Sequence, residues 1–144
     1  MIHVTCSMNY DVGKTVIIAL GGSVVYPDGI DIPFLRQWNR FIRLHIRRGK
    51  RFVLVVGGGK LARRFQDAAH RVGRISDEDK DWLGIHATRL NAHLIRTIFR
   101  DIADPMVFDA RRKRTSLRYP VTVAAGWRPG WSTDYVAAAL AADF

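Results

Sequence analysis

Three consecutive glycines, Gly57 to Gly59, are the residues of this sequence whose type and position most directly predict chemistry. They follow the apolar residues 53–56, three of which are β-branched valines, and precede Lys60 and Arg63. Because glycine has no Cβ, an anion can approach the backbone N–H groups of such a turn closely, and the dipole of a following helix attracts it. The sequence therefore predicts a phosphate-binding turn with two neighbouring cations, and the alternative is a turn that binds no ligand.

Two common phosphate-binding motifs fit this turn poorly. The Walker pattern fails because Leu61 follows Lys60 where Ser or Thr is needed, and Leu54 stands where the first glycine belongs. The dinucleotide fingerprint fits loosely over residues 57–62, but it needs an acidic residue at the end of the next strand, and residues 77–79 begin a helix instead. The glycine turn alone therefore does not identify its ligand.

Composition limits the other classes of function. The formal net charge of +10 is concentrated in residues 47–51 and 111–118, which could contact nucleic acid through phosphates or simply form solvated ends of helices and loops. Aromatic residues are not interleaved with these runs, so we do not expect nucleic-acid binding. The single cysteine, Cys6, and the five histidines, which lack HxxxH spacing, predict neither a disulfide nor a resident metal site. With no long apolar run, we expect a cytoplasmic protein without a membrane span.

The hydrophobic pattern alternates between strands and helices. Strands are predicted at residues 15–20, 52–56, 105–108 and 121–125, and helices at 31 to about 49, from the glycine turn to about 72, 76 to about 101 and 135–142. Ser76 with Asp79 predicts a capping box, and residues 132–134 predict the cap of the last helix. This alternation predicts a three-layer α/β/α fold with a mainly parallel sheet, whose ligand binds at the carboxyl ends of the strands.

Four segments taken together resemble a known family. Residues 18–23, 55–63, 81–92 and 125–134 are similar, in order and spacing, to the uridylate (UMP) kinases of the amino acid kinase family, especially the archaeal type. The resemblance covers nearly everything from Lys14 onward. It divides the chain into an N-terminal extension, residues 1–13, and the acceptor-binding half of a kinase domain, residues 14–144.

The resemblance implies transfer of the γ-phosphoryl group of ATP to UMP, giving UDP for pyrimidine nucleotide biosynthesis, with Mg²⁺ entering on the nucleotide. Catalytic roles fall on two residues, Arg63 and Asp134. The ATP and phosphate positions are Gly21, Gly22, Ser23, Gly57, Gly59, Lys60 and Arg63. The UMP positions are Gly58, Asp81, Trp127, Arg128, Pro129, Gly130, Trp131, Ser132 and Thr133.

Several residues depart from the family's pattern, and they leave alternative roles and functions open. Ala19 stands where many family members place a phosphate-bridging lysine, and the rings of Trp127 and Trp131 could stack on a base or pack in the core. Asp81 and Asp134 could equally be acidic residues that favour a helix's first turn. Family enzymes continue for roughly another half-chain, so we expect a C-terminally incomplete domain that is a homo-oligomer at full length. The alternative function is a catalytically incomplete module that binds nucleotide phosphates or serves assembly.

Overall fold

A computed structural model describes residues 14–110 and 117–144, and the predictions for residues 1–13, including Cys6, and for residues 111–116 lie outside this part of the chain. The described residues form three strands and five helices. In chain order these are β1 (Thr15–Leu20), α1 (Gly22–Val25), α2 (Ile32–Arg47), β2 (Arg51–Val56), α3 (Gly59–Val72), α4 (Asp77–Ile98), β3 (Val121–Ala124) and α5 (Thr133–Asp143). In the described part of the chain no helix is long and apolar enough to span a membrane.

The three strands form one parallel sheet in the order β1-β2-β3. Thr15 pairs with Arg51 at the start of the first ladder, and Phe52 pairs with Val121 at the start of the second. β2 is therefore the central strand, and all of its residues after Arg51 are buried. The continuous apolar pattern of β2 is what a strand covered on both faces requires.

Helices cover both faces of this sheet, as the sequence predicted. One core contains Leu54 and Val56 of β2 with residues of α2 and α4, while the other contains Val53 and Val55 with Val136 and Leu140 of α5. Alternate residues of β2 thus point into opposite cores, because successive side chains of a strand lie on opposite faces. The three-layer α/β/α architecture is confirmed.

Local sequence signals define where the helices begin. The Asp31 carboxylate accepts a hydrogen bond from the Phe34 N–H at 2.9 Å, and Pro33 lies in the first turn of α2. At the start of α4 the predicted capping box is present, since the Ser76 hydroxyl accepts from the Asp79 N–H at 3.0 Å and the Asp79 carboxylate accepts from the Ser76 N–H at 3.1 Å. These caps fix the directions in which both helices leave their loops.

The predicted strand at residues 105–108 is wrong. Only isolated bridges are present, from Ala103 to Val121 and from Phe108 to Ala124. Pro105 has no N–H to donate to a ladder, and the Asp104 carboxylate accepts a hydrogen bond from the Met106 N–H at 2.9 Å, which closes a local turn. The segment therefore touches β3 at two points without forming a strand.

An ion pair between α2 and the segment after α4 predicts a defined acid sensitivity. The Arg43 guanidinium donates to both carboxylate oxygens of Asp101 at 2.8 Å, and this lowers the pKa of Asp101 from 3.8 to about 2. Because the pKa is lower in the folded state, the stabilisation is present above pH 3.8 and is lost as the pH falls through about 2. Asp101→Asn should therefore destabilise the chain at neutral pH and flatten its loss of stability below pH 4, as measured by urea unfolding over that range.

The matched control is Asp67→Asn, because Asp67 is exposed and has no ion pair within residues 14–110 and 117–144. It measures the general effect of losing one carboxylate. Equal pH profiles for the two variants would contradict a specific role of the Arg43 contact.

Candidate functional site

A cleft opens at the carboxyl ends of β2 and β3, where the sequence predicted ligand binding. Its volume is about 480 Å³, within the range typical of small-molecule sites. One wall is the start of α3, the second is the first half of α4, and the third is the segment between β3 and α5. Its lining residues are Gly58, Gly59, Ala62, Arg63, Gln66, Asp81, Gly84, Ile85, Thr88, Gly126, Arg128, Gly130, Trp131, Ser132 and Thr133.

Two glycine turns lie in direct backbone contact beside this cleft. A methyl group on Gly22 would overlap the carbonyl oxygen of Gly57 and the amide nitrogen of Gly59. Gly59 also has a positive φ of 56°, a conformation that residues with a side chain rarely adopt. Gly57 donates its N–H to the Leu20 carbonyl oxygen at 2.9 Å, so this group holds the turn to β1. The N–H groups of Gly58 and Gly59, which line the cleft at the start of α3, have no intrahelical acceptor.

Asn91 fixes this turn from α4. Its side chain is buried, and its amide nitrogen donates to the carbonyl oxygens of Gly57 at 2.9 Å and Gly58 at 3.3 Å. Asn91→Ala should cost about 1–3 kcal/mol of unfolding free energy, because the two carbonyls lose their buried donor. Asn91→Asp should lower the unfolding free energy at least as much, because a carboxylate oxygen would then face the two glycine carbonyl oxygens and could not donate to them.

Urea unfolding of both Asn91 variants tests this role. The exposed neighbour Leu90 supplies the control, and Leu90→Ala should change the unfolding free energy by much less because its side chain is 62% exposed. A normal stability for Asn91→Asp would contradict the hydrogen bonds to the turn.

The third wall of the cleft is joined to α4 by two further contacts. The buried Thr88 hydroxyl donates to the Ile85 carbonyl oxygen and accepts from the Gly126 N–H, both at 2.7 Å. Nearer the opening, the Asp81 carboxylate accepts the Gly130 N–H at 2.8 Å. The second Asp81 oxygen has no hydrogen-bond partner in the described part of the chain. Asp81 thus holds the loop in place with one oxygen, and its other oxygen is free to accept a further hydrogen bond.

Cationic and aromatic groups complete the cleft. Arg63 is exposed and makes no hydrogen bond or ion pair to any other described residue. The Arg128 guanidinium lies 4.3 Å from the centre of the Trp131 ring, and the centre of the Tyr135 ring lies 4.4 Å from that of Trp131 in an edge-on contact. The cleft therefore combines the glycine turn and Arg63 with Asp81, Arg128 and the Trp131 ring beside the β3–α5 loop.

Nine of the predicted site residues line this one cleft. They are Gly58, Gly59, Arg63, Asp81, Arg128, Gly130, Trp131, Ser132 and Thr133. The other predicted residues do not line it: Gly21, Gly22, Ser23, Gly57, Lys60, Trp127, Pro129 and Asp134. Asp134 is exposed in the first turn of α5, directly after Thr133.

Two of the residues outside the cleft are held by specific contacts. Lys60 donates to the Asp28 carboxylate at 2.9 Å, and this hydrogen bond and charge lower the pKa of Asp28. Trp127 is buried in the core beneath α5, with its indole N–H donating to the Phe108 carbonyl oxygen at 3.2 Å. The core position of Trp127 corresponds to the packing alternative that its sequence left open.

The sequence interpretation missed six lining residues, of which Gln66, Thr88 and Gly126 are the most informative. Gln66 donates to the Lys80 carbonyl oxygen at 2.8 Å and so connects α3 to α4. Thr88 lies inside the matched segment 81–92, and its regular placement one helical turn after Gly84 and two after Asp81 was the available signal. Within the described residues, no group of three His, Cys, Asp or Glu side chains is placed to hold a metal ion.

The described residues form a parallel α/β sheet with a glycine turn that leads into a helix at its carboxyl edge, an arrangement that commonly binds anions in α/β proteins. The sequence profile of the amino acid kinase family matches residues 14–144, and the chain belongs to this family.

Individual relatives agree with this assignment. The uridylate kinase of Methanocorpusculum labreanum is 35% identical over 130 residues, which are 89% of this chain and 54% of that protein. The uridylate kinase of Thermococcus kodakarensis is 34% identical over 128 residues, which are 88% of this chain and 56% of that protein. The crystal structure of the uridylate kinase from Archaeoglobus fulgidus matches with a TM-score of 0.64 and 32% identity, over 90% of this chain and 57% of that one. The chain spans about half the length of the relatives it matches.

Proposed function

We propose that this chain forms the acceptor-binding half of a UMP kinase, which transfers the γ-phosphoryl group of ATP to UMP and releases UDP and ADP. One observation carries the proposal: a single cleft holds the glycine turn with Arg63 at one end and Asp81 with the β3–α5 loop at the other. A nucleoside monophosphate has the same polarity, with an anionic phosphate at one end and a neutral, hydrogen-bonding nucleoside at the other. The similarity to uridylate kinases supports UMP as that ligand.

At the phosphate end the chemistry needs positioning and charge neutralisation. In the proposed reaction a phosphate oxygen of UMP attacks the γ-phosphorus of ATP, and the bond to the bridging oxygen of ADP breaks. The N–H groups of Gly58 and Gly59 can hold the acceptor phosphate, and Arg63 can neutralise charge that develops on the transferred group. These groups bind and orient, so no nucleophilic side chain is required.

At the nucleoside end Asp81 supplies selectivity. Its unpaired oxygen can accept a hydrogen bond from a ligand hydroxyl or N–H while the other oxygen keeps Gly130 in place. The Arg128 guanidinium, which lies over the Trp131 ring, is itself planar, so a base can stack on this pair. Loop position and ligand recognition therefore depend on the same carboxylate.

The donor side is proposed to lie beside β1. The chain runs from β1 through β2 to β3, and the helices α2 and α4 that connect these strands cover one face of the sheet. Helix α5 lies on the other face, over β1 and β2. Since βαβ connections are right-handed, a parallel strand that follows α5 would lie at the edge of β1 that faces away from β2. The Gly21, Gly22 and Ser23 turn would then face ATP, and ATP phosphates would compete with Asp28 for Lys60.

Mg²⁺ would enter this site with the ATP phosphates. Mg²⁺ commonly keeps several waters and takes one or two carboxylates together with phosphate oxygens. Asp134, exposed next to the cleft residue Thr133, is the candidate for such a carboxylate. When bound, the ion would neutralise charge on the phosphates.

This activity would belong to cytoplasmic pyrimidine nucleotide synthesis, in a homo-oligomer. Supporting an oligomer, α3 and α4 expose the large apolar side chains Phe65 and Leu90, which are 57% and 62% accessible. Sedimentation velocity would test that assembly.

Calorimetric titration of the chain with UMP, beside CMP, tests the proposed site. Saturable binding that prefers UMP is expected, and a folded sample that binds neither nucleotide would overturn the proposal. A coupled assay for ADP then separates a kinase from a module that binds nucleotide without turnover. The module that binds nucleotide without turnover is the second candidate function, because the chain spans about half of its relatives' length.

A further inference from the structure

Helix α2 carries a stripe of arginines along one side. Arg36, Arg40, Arg43 and Arg47 recur at three- and four-residue spacing, so their side chains leave the same side of the helix. The residues of α2 include no Asp or Glu. At a rise of 1.5 Å per residue the stripe is about 16 Å long.

The stripe continues onto the amino edge of the sheet. Arg48 and Gly49 lead from α2 into β2, where the Arg51 guanidinium donates to the Leu117 carbonyl oxygen. This contact places Arg118, the residue after Leu117, beside the start of β2. We call this the basic surface, and its exposed members are Arg36, Arg40, Arg47, Arg48, Arg51 and Arg118.

Acidic groups offset little of this charge. Asp101 faces the stripe, but it is bound by Arg43 and lies close to Arg100. Asp77, Glu78, Asp79 and Asp81 lie at the start of α4, and Asp81 lines the cleft at the carboxyl edge of the sheet. No member of the basic surface lines the cleft, so the two are separate.

We propose that the basic surface binds the phosphodiester backbone of RNA, independently of the nucleotide site. Guanidinium groups bind phosphate oxygens through paired N–H donors, and five of the seven cations in residues 36–51 belong to the stripe or directly follow it. A linear track along a helix and a sheet edge suits an extended polyanion. Phe34, Trp38 and Phe41 of α2 stack on one another along a different side of the helix from the arginines. Contacts to phosphate rather than to bases should therefore dominate, and the affinity should depend little on sequence.

The test compares two double variants that remove equal charge. Arg40→Gln with Arg47→Gln changes the basic surface, whereas Arg71→Gln with Arg74→Gln removes two exposed arginines at the end of α3. Binding of a fluorescent, mixed-sequence RNA of about 20 nucleotides is measured by anisotropy at several salt concentrations starting near 50 mM. The first variant should bind about tenfold or more weakly, with a salt slope lower by about 1.4, and the control should stay within about twofold.

Four outcomes would overturn the proposal. Equal losses of RNA affinity in both double variants would mean that only overall charge attracts RNA. An absence of binding near 50 mM salt would show that the basic surface is not an RNA site. Displacement of the RNA by UMP would place binding in the cleft. Tighter, equally arginine-dependent binding to phosphatidylserine vesicles would make the surface a membrane contact instead. Thermal unfolding of each variant checks that the exposed substitutions leave the fold intact.

Discussion

Alanine in place of Gly22 is expected to destabilise this chain severely, whereas alanine in place of Gly29 should have almost no effect. The added methyl group at position 22 would overlap backbone atoms of Gly57 and Gly59, and backbone cannot move aside as a flexible side chain can. The turns after β1 and β2 would have to separate, at a cost of about 3 kcal/mol or more in unfolding free energy. Urea unfolding followed by circular dichroism measures the difference.

Gly29 is a matched control because no atom beyond its two chain neighbours lies within 4 Å of the position its Cβ would take. We expect Gly29→Ala to change the unfolding free energy by no more than about 0.5 kcal/mol. A Gly22→Ala variant as stable as the natural chain would contradict the close packing of the two turns, and with it the alignment of the strand ends that forms the cleft.

The strands and helices were largely predictable because their signals are local. β1 and β2 are continuous apolar runs, and the caps at Asp31, Ser76 and Ser132 lie next to the helices they begin. The failure at residues 105–108 has a non-local cause. Its apolar residues resemble a strand, but strand formation depends on pairing with β3, and Pro105 with the turn at Asp104 interrupts that pairing.

The candidate site was predictable where it follows the strands and less so where it belongs to helices. The glycine turn, Arg63 and the β3–α5 loop stand directly after strand ends, so the topology brings them to one edge of the sheet. Gln66 and Thr88 line the cleft only because α3 and α4 pack against each other at a particular angle. Likewise, Lys60 is turned toward Asp28 by the conformation of a loop, which the sequence does not specify.

The sequence also does not specify which tryptophan of the β3–α5 loop lies in the core and which lies in the cleft. Trp127 and Trp131 were equal candidates for ligand contact in the sequence, being four residues apart beside glycines. The structure buries Trp127, whose indole reaches the Phe108 carbonyl oxygen, and leaves Trp131 in the cleft. Their rings still lie 5.8 Å apart, so the core residue supports the cleft residue.

The second large effect is expected at Asp81. Asp81→Ala should weaken UMP binding by about 10- to 100-fold, because a charged acceptor within the cleft is worth about 1.5–3 kcal/mol and the loop loses its tether at Gly130. Asp81→Asn retains an oxygen that can accept the Gly130 N–H, so it should weaken binding less than alanine does. Calorimetric titration of both variants with UMP measures these losses.

Glu78→Gln separates this role from a simple helix effect. Glu78 lies in the first turn of α4 and is exposed outside the cleft, so it interacts favourably with the helix dipole without facing the ligand, whereas Asp81 lies one turn further on. If Asp81 acted only on that dipole, its substitution would lower stability by no more than that of Glu78, about 0.3–1 kcal/mol, and both would leave UMP affinity unchanged. A loss of UMP affinity confined to the Asp81 variants would instead show that this carboxylate acts on the ligand, through direct contact, through the loop it holds, or through both. The difference in UMP affinity between Asp81→Ala and Asp81→Asn separates the contribution of direct ligand contact from that of the loop tether.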